Sequence, residues 1–374
     1  MDAERGMTVQ DVQHVIESWA PRDIALERDN NGLQCGDPSA VVRGILIALD
    51  PAEAVVGEAR RRKANLVVTH HPLLFRPLSS VTPRTTAGRC LRALLKHDIA
   101  MLAAHTNLDF TRGGTSFALA EALELADIQF LHRPYRVTRK IVTFVPPADA
   151  DRIAEAMAKA GAGTIGNYDL CSFRVEGTGT FRGNAASSPR LGAKGVLERL
   201  PEVRLEMVVP SWNVDRVVGA LLKAHPYEEV AYEIYPIENQ STNHGMGVIG
   251  NLPRPVRLGT FLSNIRKALH SDGLRYTGDV KRLLRRVALC GGSGADLTDE
   301  AVRQGADAFV TADIKYHGFQ EATSRIALVD AGHYETEFPV VRAIADRLKN
   351  AIRDTGERIV VNTTRISTNP VHFL

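Results

Sequence analysis

The sequence has no apolar run approaching the ~20 residues that a membrane-spanning helix requires, so no bilayer-embedded function is expected. Cysteine is scarce. Cys35, Cys90, Cys171 and Cys290 stand far apart with no C-x-x-C pair. That spacing argues against a zinc knuckle or a disulfide frame and reads as reduced thiols in a core. An excess of charge of either sign is also missing. Lysine and arginine number 46 against 43 aspartates and glutamates, a formal net charge of +3, which gives no electrostatic case for a nucleic-acid partner. The short basic cluster Arg60-Arg61-Arg62-Lys63 falls at the end of a predicted helix, where cations complement the helix dipole. The opening Met1-Asp2-Ala3-Glu4-Arg5 lacks the basic-then-apolar order of a signal peptide. A cytoplasmic protein with no membrane and no nucleic-acid partner is expected.

What is present is the composition of a soluble globular protein, 44% hydrophobic and 24% charged, in a chain of 374 residues that is too long for one typical core. Three segments are expected. In residues 1–132, apolar strands at 42–49, 66–69 and 99–104 alternate with helical spacing at 51–63, 88–97 and 115–125. That alternation predicts an α/β half with a mostly parallel sheet. Residues 133–238 read strand, helix, strand or hairpin (168–183), strand, helix, strand. This βαββαβ order predicts a ferredoxin-like inserted domain. Residues 239–374 return to α/β, with strands at 287–290, 308–311, 326–329 and 359–362, and helices at 298–304, 318–324 and 340–354. The fold class is therefore α/β, two related halves forming one domain interrupted by an insert.

The chemistry is concentrated where strands end. Leu66-Val67-Val68-Thr69 runs into His70-His71-Pro72. Neighbouring side chains of a strand point to opposite faces, so both histidines serve one site only where the backbone is turning. Pro72 makes such a turn plausible, because it disfavours a helical conformation at His71. Imidazole is a common ligand of zinc-like metals. A capped or solvated strand end is the bland alternative for this pair alone. Further pairs recur downstream: Ala104-His105-Thr106-Asn107-Leu108-Asp109 and Gly332-His333-Tyr334-Glu335-Thr336-Glu337 both read His-x-x-x-acid after a strand. Residues 64–71 also overlay on 306–313, as expected of a divergent internal duplication; chance likeness between βα units competes with that reading. His70, His71, His105, Asp109, His333 and Glu337 form a nitrogen and carboxylate set without thiolate, which suits zinc, manganese or iron in a catalytic site. The set is too large for one tetrahedral ion and suits two, with a bridging carboxylate.

These words carry a family resemblance. Together with Asp29-Asn30-Asn31-Gly32-Leu33-Gln34, Thr69-His70-His71-Pro72 and Cys290-Gly291-Gly292-Ser293-Gly294, they make the chain similar to the GTP cyclohydrolase I type 2 homologue family, dinuclear-metal proteins related to an NGG-interacting factor. Tyr168-Asp169, Gly177-Thr178-Gly179 and Ala224-His225-Pro226-Tyr227-Glu228-Glu229 resemble the PII/CutA-like insert of its longer members. The resemblance implies two divalent metal ions per subunit, of zinc, iron or manganese. It assigns the ligands to His70, His71, Asp109, His333 and Glu337, with Glu337 bridging. It sets His105 beside the metals and implies a toroidal homohexamer.

Three further features carry alternatives. The glycine loop 290–294 follows a strand and precedes a helix, where backbone N–H groups can receive an anion; a tight turn needing glycine is the other reading. In Asp313-Ile314-Lys315-Tyr316-His317, Asp313 overlays a ligand histidine. Lys315 and His317 could meet a small anionic substrate or act as acid and base, or the segment is a capped strand end. Residues 29–34 read as a loop whose asparagines satisfy backbone groups. Two functions follow. One is a metal-dependent hydrolase of a small phosphorylated or nucleotide-like substrate, with His105 or His317 shuttling protons. The alternative is a non-catalytic metal-binding scaffold or metal-handling protein.

Overall fold

The computed structural model describes residues 6–134, 137–241 and 243–374. Residues 1–5, weighed above against a signal peptide, lie outside them. The strands in chain order are β1 (Gly32–Cys35), β2 (Gly44–Ala48), β3 (Leu66–Thr69), β4 (Ala100–Ala103), β5 (Ala126–His132), β6 (Thr138–Val145), β7 (Phe173–Arg182), β8 (Leu197–Pro210), β9 (Tyr232–Ile237), β10 (Met246–Arg257), β11 (Arg275–Tyr276), β12 (Leu283–Leu289), β13 (Ala308–Thr311), β14 (Ala327–Asp330) and β15 (Val360–Thr363). They form a mixed α/β fold of several sheets. The chain divides into two compact units, Met1–His132 with His244–Leu374, and Arg133–Asn243. The smaller unit runs to Asn243.

The larger unit holds two sheets. The first has the order β1-β4-β3-β2-β15, with β15, β2, β3 and β4 parallel and β1 antiparallel at the edge. Strands β2, β3 and β4 are buried along their whole length, which is why they read as continuous apolar runs: helices cover both faces. On one face Ile45, Ile47, Leu66 and Val68 pack with Val12 and Ile16 of the helix Val9–Trp19 and with Ile344 and Leu348 of the helix Pro339–Thr355. On the other, Leu46, Val67 and Met101 meet Val56 and Leu94 of the helices Glu53–Arg61 and Thr86–Lys96. Each such fully buried aliphatic side chain stabilises the fold by roughly 1.5–3 kcal/mol relative to exposure.

The second sheet has the order β11-β14-β13-β12-β10-β5. Only β12, β13 and β14 are parallel, because the long β10 pairs antiparallel with both β12 and β5, and β11 closes the far edge antiparallel to β14. The expectation of a mostly parallel sheet therefore holds for the first sheet and for half of the second. The two chain segments also trade edges: β5 comes from the first segment and joins the second sheet, whereas β15 closes the first. Neither sheet is completed by one segment alone. The parallel strands β3, β4, β13 and β14 deliver His70, His105, Asp313 and His333 just beyond their carboxyl ends, the usual place for a site in an α/β sheet.

The smaller unit is a four-stranded antiparallel sheet of order β7-β8-β6-β9. Its helices Ala150–Lys159 and Val214–Ala224 contribute Ile153, Met157, Val217 and Leu221 to a core with Ile141, Leu205 and Met207. The stretch 168–183 contributes the single strand β7, paired along its length with β8, and no hairpin of its own. Among the described residues no helix is long and apolar enough to cross a membrane.

Candidate metal centre

His70 and His71 leave β3 where the backbone is still held to β2, with the His71 N–H donating to the Leu49 carbonyl at 2.9 Å. The Thr69 hydroxyl donates to the His71 carbonyl at 2.6 Å and pins the turn. His105 follows β4 and opens the short helix Thr106–Asp109, so Asp109 stands one turn further on. His333 and Glu337 are related in the same way along the helix His333–Glu337 after β14. His-x-x-x-acid is therefore an i, i+4 pair on one helical face in both places.

These side chains converge. The Glu337 carboxylate divides its oxygens: Oε1 lies 3.8 Å from His70 Nε2, while Oε2 lies 2.9 Å from His71 Nε2 and 3.2 Å from His333 Nε2. His70 Nε2 is 3.6 Å from Asp109 Oδ1. The rings of His70, His71 and His105 stand 5.1–5.5 Å apart between centroids, and His333 is 5.5 Å from His71. Two groups bring their donor atoms within 4.8 Å of one another, His70 with His71 and His105, and His71 with His333 and Glu337.

Every imidazole in the cluster is held from behind. His70 Nδ1 donates to the Ala104 carbonyl at 2.8 Å, His71 Nδ1 to Asp50 at 2.7 Å, His105 Nδ1 to Asp29 at 2.7 Å and His333 Nδ1 to Asp313 at 2.6 Å. A carbonyl or carboxylate only accepts, so Nδ1 carries the proton in each ring and Nε2 is turned inward. This backing fixes tautomer and orientation, as it does around metal-ligating histidines. Asp29 is itself locked, accepting from the Thr106 N–H at 3.0 Å and from Asn31 Nδ2 at 2.9 Å. Asn31 Oδ1 in turn accepts the His105 N–H at 2.8 Å. Residues 29–31 thus support His105, and the expected loop 29–34 is cut short because Gly32 and Leu33 already pair with β4 as part of β1.

The electrostatics call for positive charge. Burial and the Glu337 carboxylate push Asp109 above its ordinary value, with His70 opposing. Burial would also raise Glu337, but His333, His70 and His71 hold it well below the usual carboxylate range. The price appears on the imidazoles. His71 is pushed up to about 10 against its burial by Asp50 and Glu337, and His333 up to about 9, chiefly by Glu337. A cluster without a cation takes up protons instead.

His70 Nε2, Asp109 Oδ1 and Glu337 Oε2 are buried without a hydrogen-bond partner among the described residues. Glu337 Oε2 approaches His71 Nε2 closely, but not in hydrogen-bond geometry. Unpartnered buried polar atoms are uncommon and call for an explanation. Three aimed at one space, amid inward imidazole nitrogens, fit divalent cations bound by nitrogen and oxygen. Thiolate takes no part: burial, Asp109 and Glu337 push the nearby Cys290 thiol up to about 12.

The glycine loop is a matter of close approach. A Cβ at Gly292, which has φ +63°, would collide with Glu337 Oε1. The N–H groups of Gly291, Gly292 and Gly294 donate to Ser116, Thr336 and Thr311 at 3.3, 3.0 and 2.9 Å. Those donors are committed within the protein, and the anion-receiving reading is set aside. His317 is not brought to the cluster. It is exposed on the helix Tyr316–Ala322, beside Gln320 at 3.4 Å and edge-on to Tyr316. Asp313 stands behind His333, holding its Nδ1, whereas His71, which it overlays, turns Nε2 toward Glu337. Asp50 belongs to the site although it stands in no His-x-x-x-acid word; its one sequence signal is its place just after the first buried strand.

Comparison with known proteins matches residues 7–370 to the family described as Duf34/NIF3 (NGG1p interacting factor 3). A protein of Halalkalibacterium halodurans named GTP cyclohydrolase 1 type 2 homolog is 37% identical over 367 residues, covering 98% of each chain. A Bacillus subtilis protein of the same name is 36% identical over 367 residues, again 98% of each. A solved structure of a Bacillus cereus protein related to NIF3 superposes with a TM-score of 0.86 at 36% identity, covering 98% of this chain and 99% of that one.

Proposed function

The chain belongs to the Duf34/NIF3 family, and on that premise we propose that it is a dinuclear divalent-metal protein acting as a hydrolase of a small phosphorylated or nucleotide-like substrate. The observation that carries the reading is the divided Glu337 carboxylate, one oxygen toward His70 and the other toward His71 and His333. We assign the ligands to His70, His71, Asp109, His333 and Glu337, with Glu337 as the bridge, and the ions to zinc, iron or manganese. When bound, such a pair supplies Lewis-acid activation of water and of a substrate oxygen.

The chain's own residues do the rest. Asp50, Asp313 and the Ala104 carbonyl hold the ligand rings so that little reorganisation is needed. His105, its Nδ1–H fixed on Asp29, presents Nε2 to the same space and is the group that accepts a proton from water or returns one to the leaving group. His317, whose described contacts are with Gln320 and Tyr316, has no part in this assignment. The relatives' name points to GTP ring opening; phosphoester hydrolysis fits the donor set equally well.

We read the smaller unit as a ferredoxin-like, PII/CutA-like insert between two related α/β halves, supported by its βαββαβ order and by the parallel triplets β2-β3-β4 and β12-β13-β14. A cytoplasmic homohexamer is part of the same proposal. A second reading, metal handling without turnover, is favoured by one observation: Asp50, Asp313, Asp330 and Glu335 line the cavity beside the centre with Arg275 as the one guanidinium. Screening metal-loaded protein with phosphomonoesters and GTP separates the two. The hydrolase reading expects turnover that falls at least ~100-fold in His105→Ala. No turnover in the zinc, iron and manganese forms would leave metal handling.

A further inference from the structure

A cavity of about 420 Å³ adjoins the cluster on the His71 and His333 side, within the range of small-molecule sites. Its far wall is the end of the chain. Residues 364–373 run back across the larger unit, tied by the Thr368 hydroxyl to Asp50 and by Asn369 Nδ2 to Glu335 Oε1 at 2.9 Å. Phe373 closes the wall against Gly273, where a Cβ would stand 2.7 Å from the ring. A side chain at 273 would expel the phenyl group. Leu274, Pro370 and Val371 complete an apolar end.

The charged side chains of this cavity are already engaged. Asp50 and Asp313 hold His71 and His333, and Glu335 holds Asn369. Asp330 accepts from Arg275, which also donates to the Ile314 carbonyl at 3.1 Å and lies over the Phe319 ring. Asp50 and Asp313 are paired with His71 and His333, and Asp330 with Arg275, so the described lining offers a second anionic group no uncommitted cation, while Glu335 adds a further carboxylate. An anionic substrate group is therefore favoured only where the ligand set would hold divalent cations, and the cavity suits a neutral, flat, apolar body.

Resting on the hydrolase reading above, we propose that this cavity seats the leaving group, and that the substrate is an aryl or heterocyclic ester with a single anionic group rather than a polyphosphate. Phe373 is then a specificity-determining residue.

Calorimetric titration of the metal-loaded full chain with phenylphosphonate, methylphosphonate and pyrophosphate tests this without requiring turnover. Phenylphosphonate is expected to bind about tenfold more tightly than methylphosphonate, ~1.4 kcal/mol, and more tightly than pyrophosphate. Phe373→Ala and, independently, Gly273→Ala should erase the phenyl preference while methylphosphonate affinity stays. Equal binding of the two phosphonates, no binding of either, a phenyl preference that survives both variants, or stronger pyrophosphate binding would overturn the proposal. A preference that behaves as expected without turnover of any aryl phosphate or GTP supports an aryl-binding cavity governed by Phe373 and overturns its role in seating a leaving group together with the hydrolase reading.

Discussion

Asp50 Oδ1 lies 2.7 Å from His71 Nδ1, and the Thr368 hydroxyl reaches the other oxygen of the same carboxylate. One acidic residue thus couples the end of the chain to the ring that faces Glu337. A carboxylate in that place raises the basicity of the imidazole as well as fixing its orientation.

Asp50→Ala is therefore expected to weaken metal binding roughly 10–100-fold. Competition with a chromogenic chelator measures it. An unchanged affinity would mean that His71 is oriented by its neighbours alone.

Gly292→Ala should both strain the backbone, since φ is +63°, and displace Glu337. Destabilisation of about 1–3 kcal/mol is expected from the strained backbone, together with lost metal content. Thermal unfolding and elemental analysis of the same sample read the two effects, and retention of both would show that the loop yields.

How much of this centre was legible in sequence follows from how local each signal is. His70-His71 and the two His-x-x-x-acid words are contiguous, and helical spacing alone sets each acid beside its histidine. Asp29 supports His105 from 76 residues away, and Asp50 supports His71 from 21; no periodicity links such pairs. The trade of β5 and β15 between sheets is likewise invisible, because which sheet an edge strand joins is set by its distant partners β10 and β2. The helix Val9–Trp19, by contrast, carries a local signal in the reciprocal Thr8 and Asp11 capping box.

His105→Ala separates a substrate-facing histidine from a ligand. The expected result is retained metal stoichiometry with turnover lowered at least ~100-fold. A loss of metal from the variant would move His105 into the ligand set with His70 and His71, whose donor atoms lie within 4.8 Å.

Glu58 anchors the returning chain end. It is 4% exposed and accepts from the Thr364 hydroxyl at 2.5 Å and the Arg365 N–H at 3.1 Å. Burial alone would raise its pKa, but these donors and Arg62 outweigh it and hold the carboxyl below its ordinary 4.5. With the folded value depressed, the stabilisation is fully present above pH 4.5 and is lost as pH falls through the folded value. The difference in urea midpoint between parent and Glu58→Gln should therefore be constant near neutrality and shrink below about pH 4.5. A gap that is flat with pH would show that the charge contributes nothing.

Elemental analysis of the purified protein beside a His70→Ala, Glu337→Ala double variant tests the central claim most directly. The expected result is about two divalent ions per chain in the parent and almost none in the variant. A parent that stays metal-free after repletion with zinc, iron and manganese would contradict it, and the converging histidines and carboxylates would then be a hydrogen-bonded cleft.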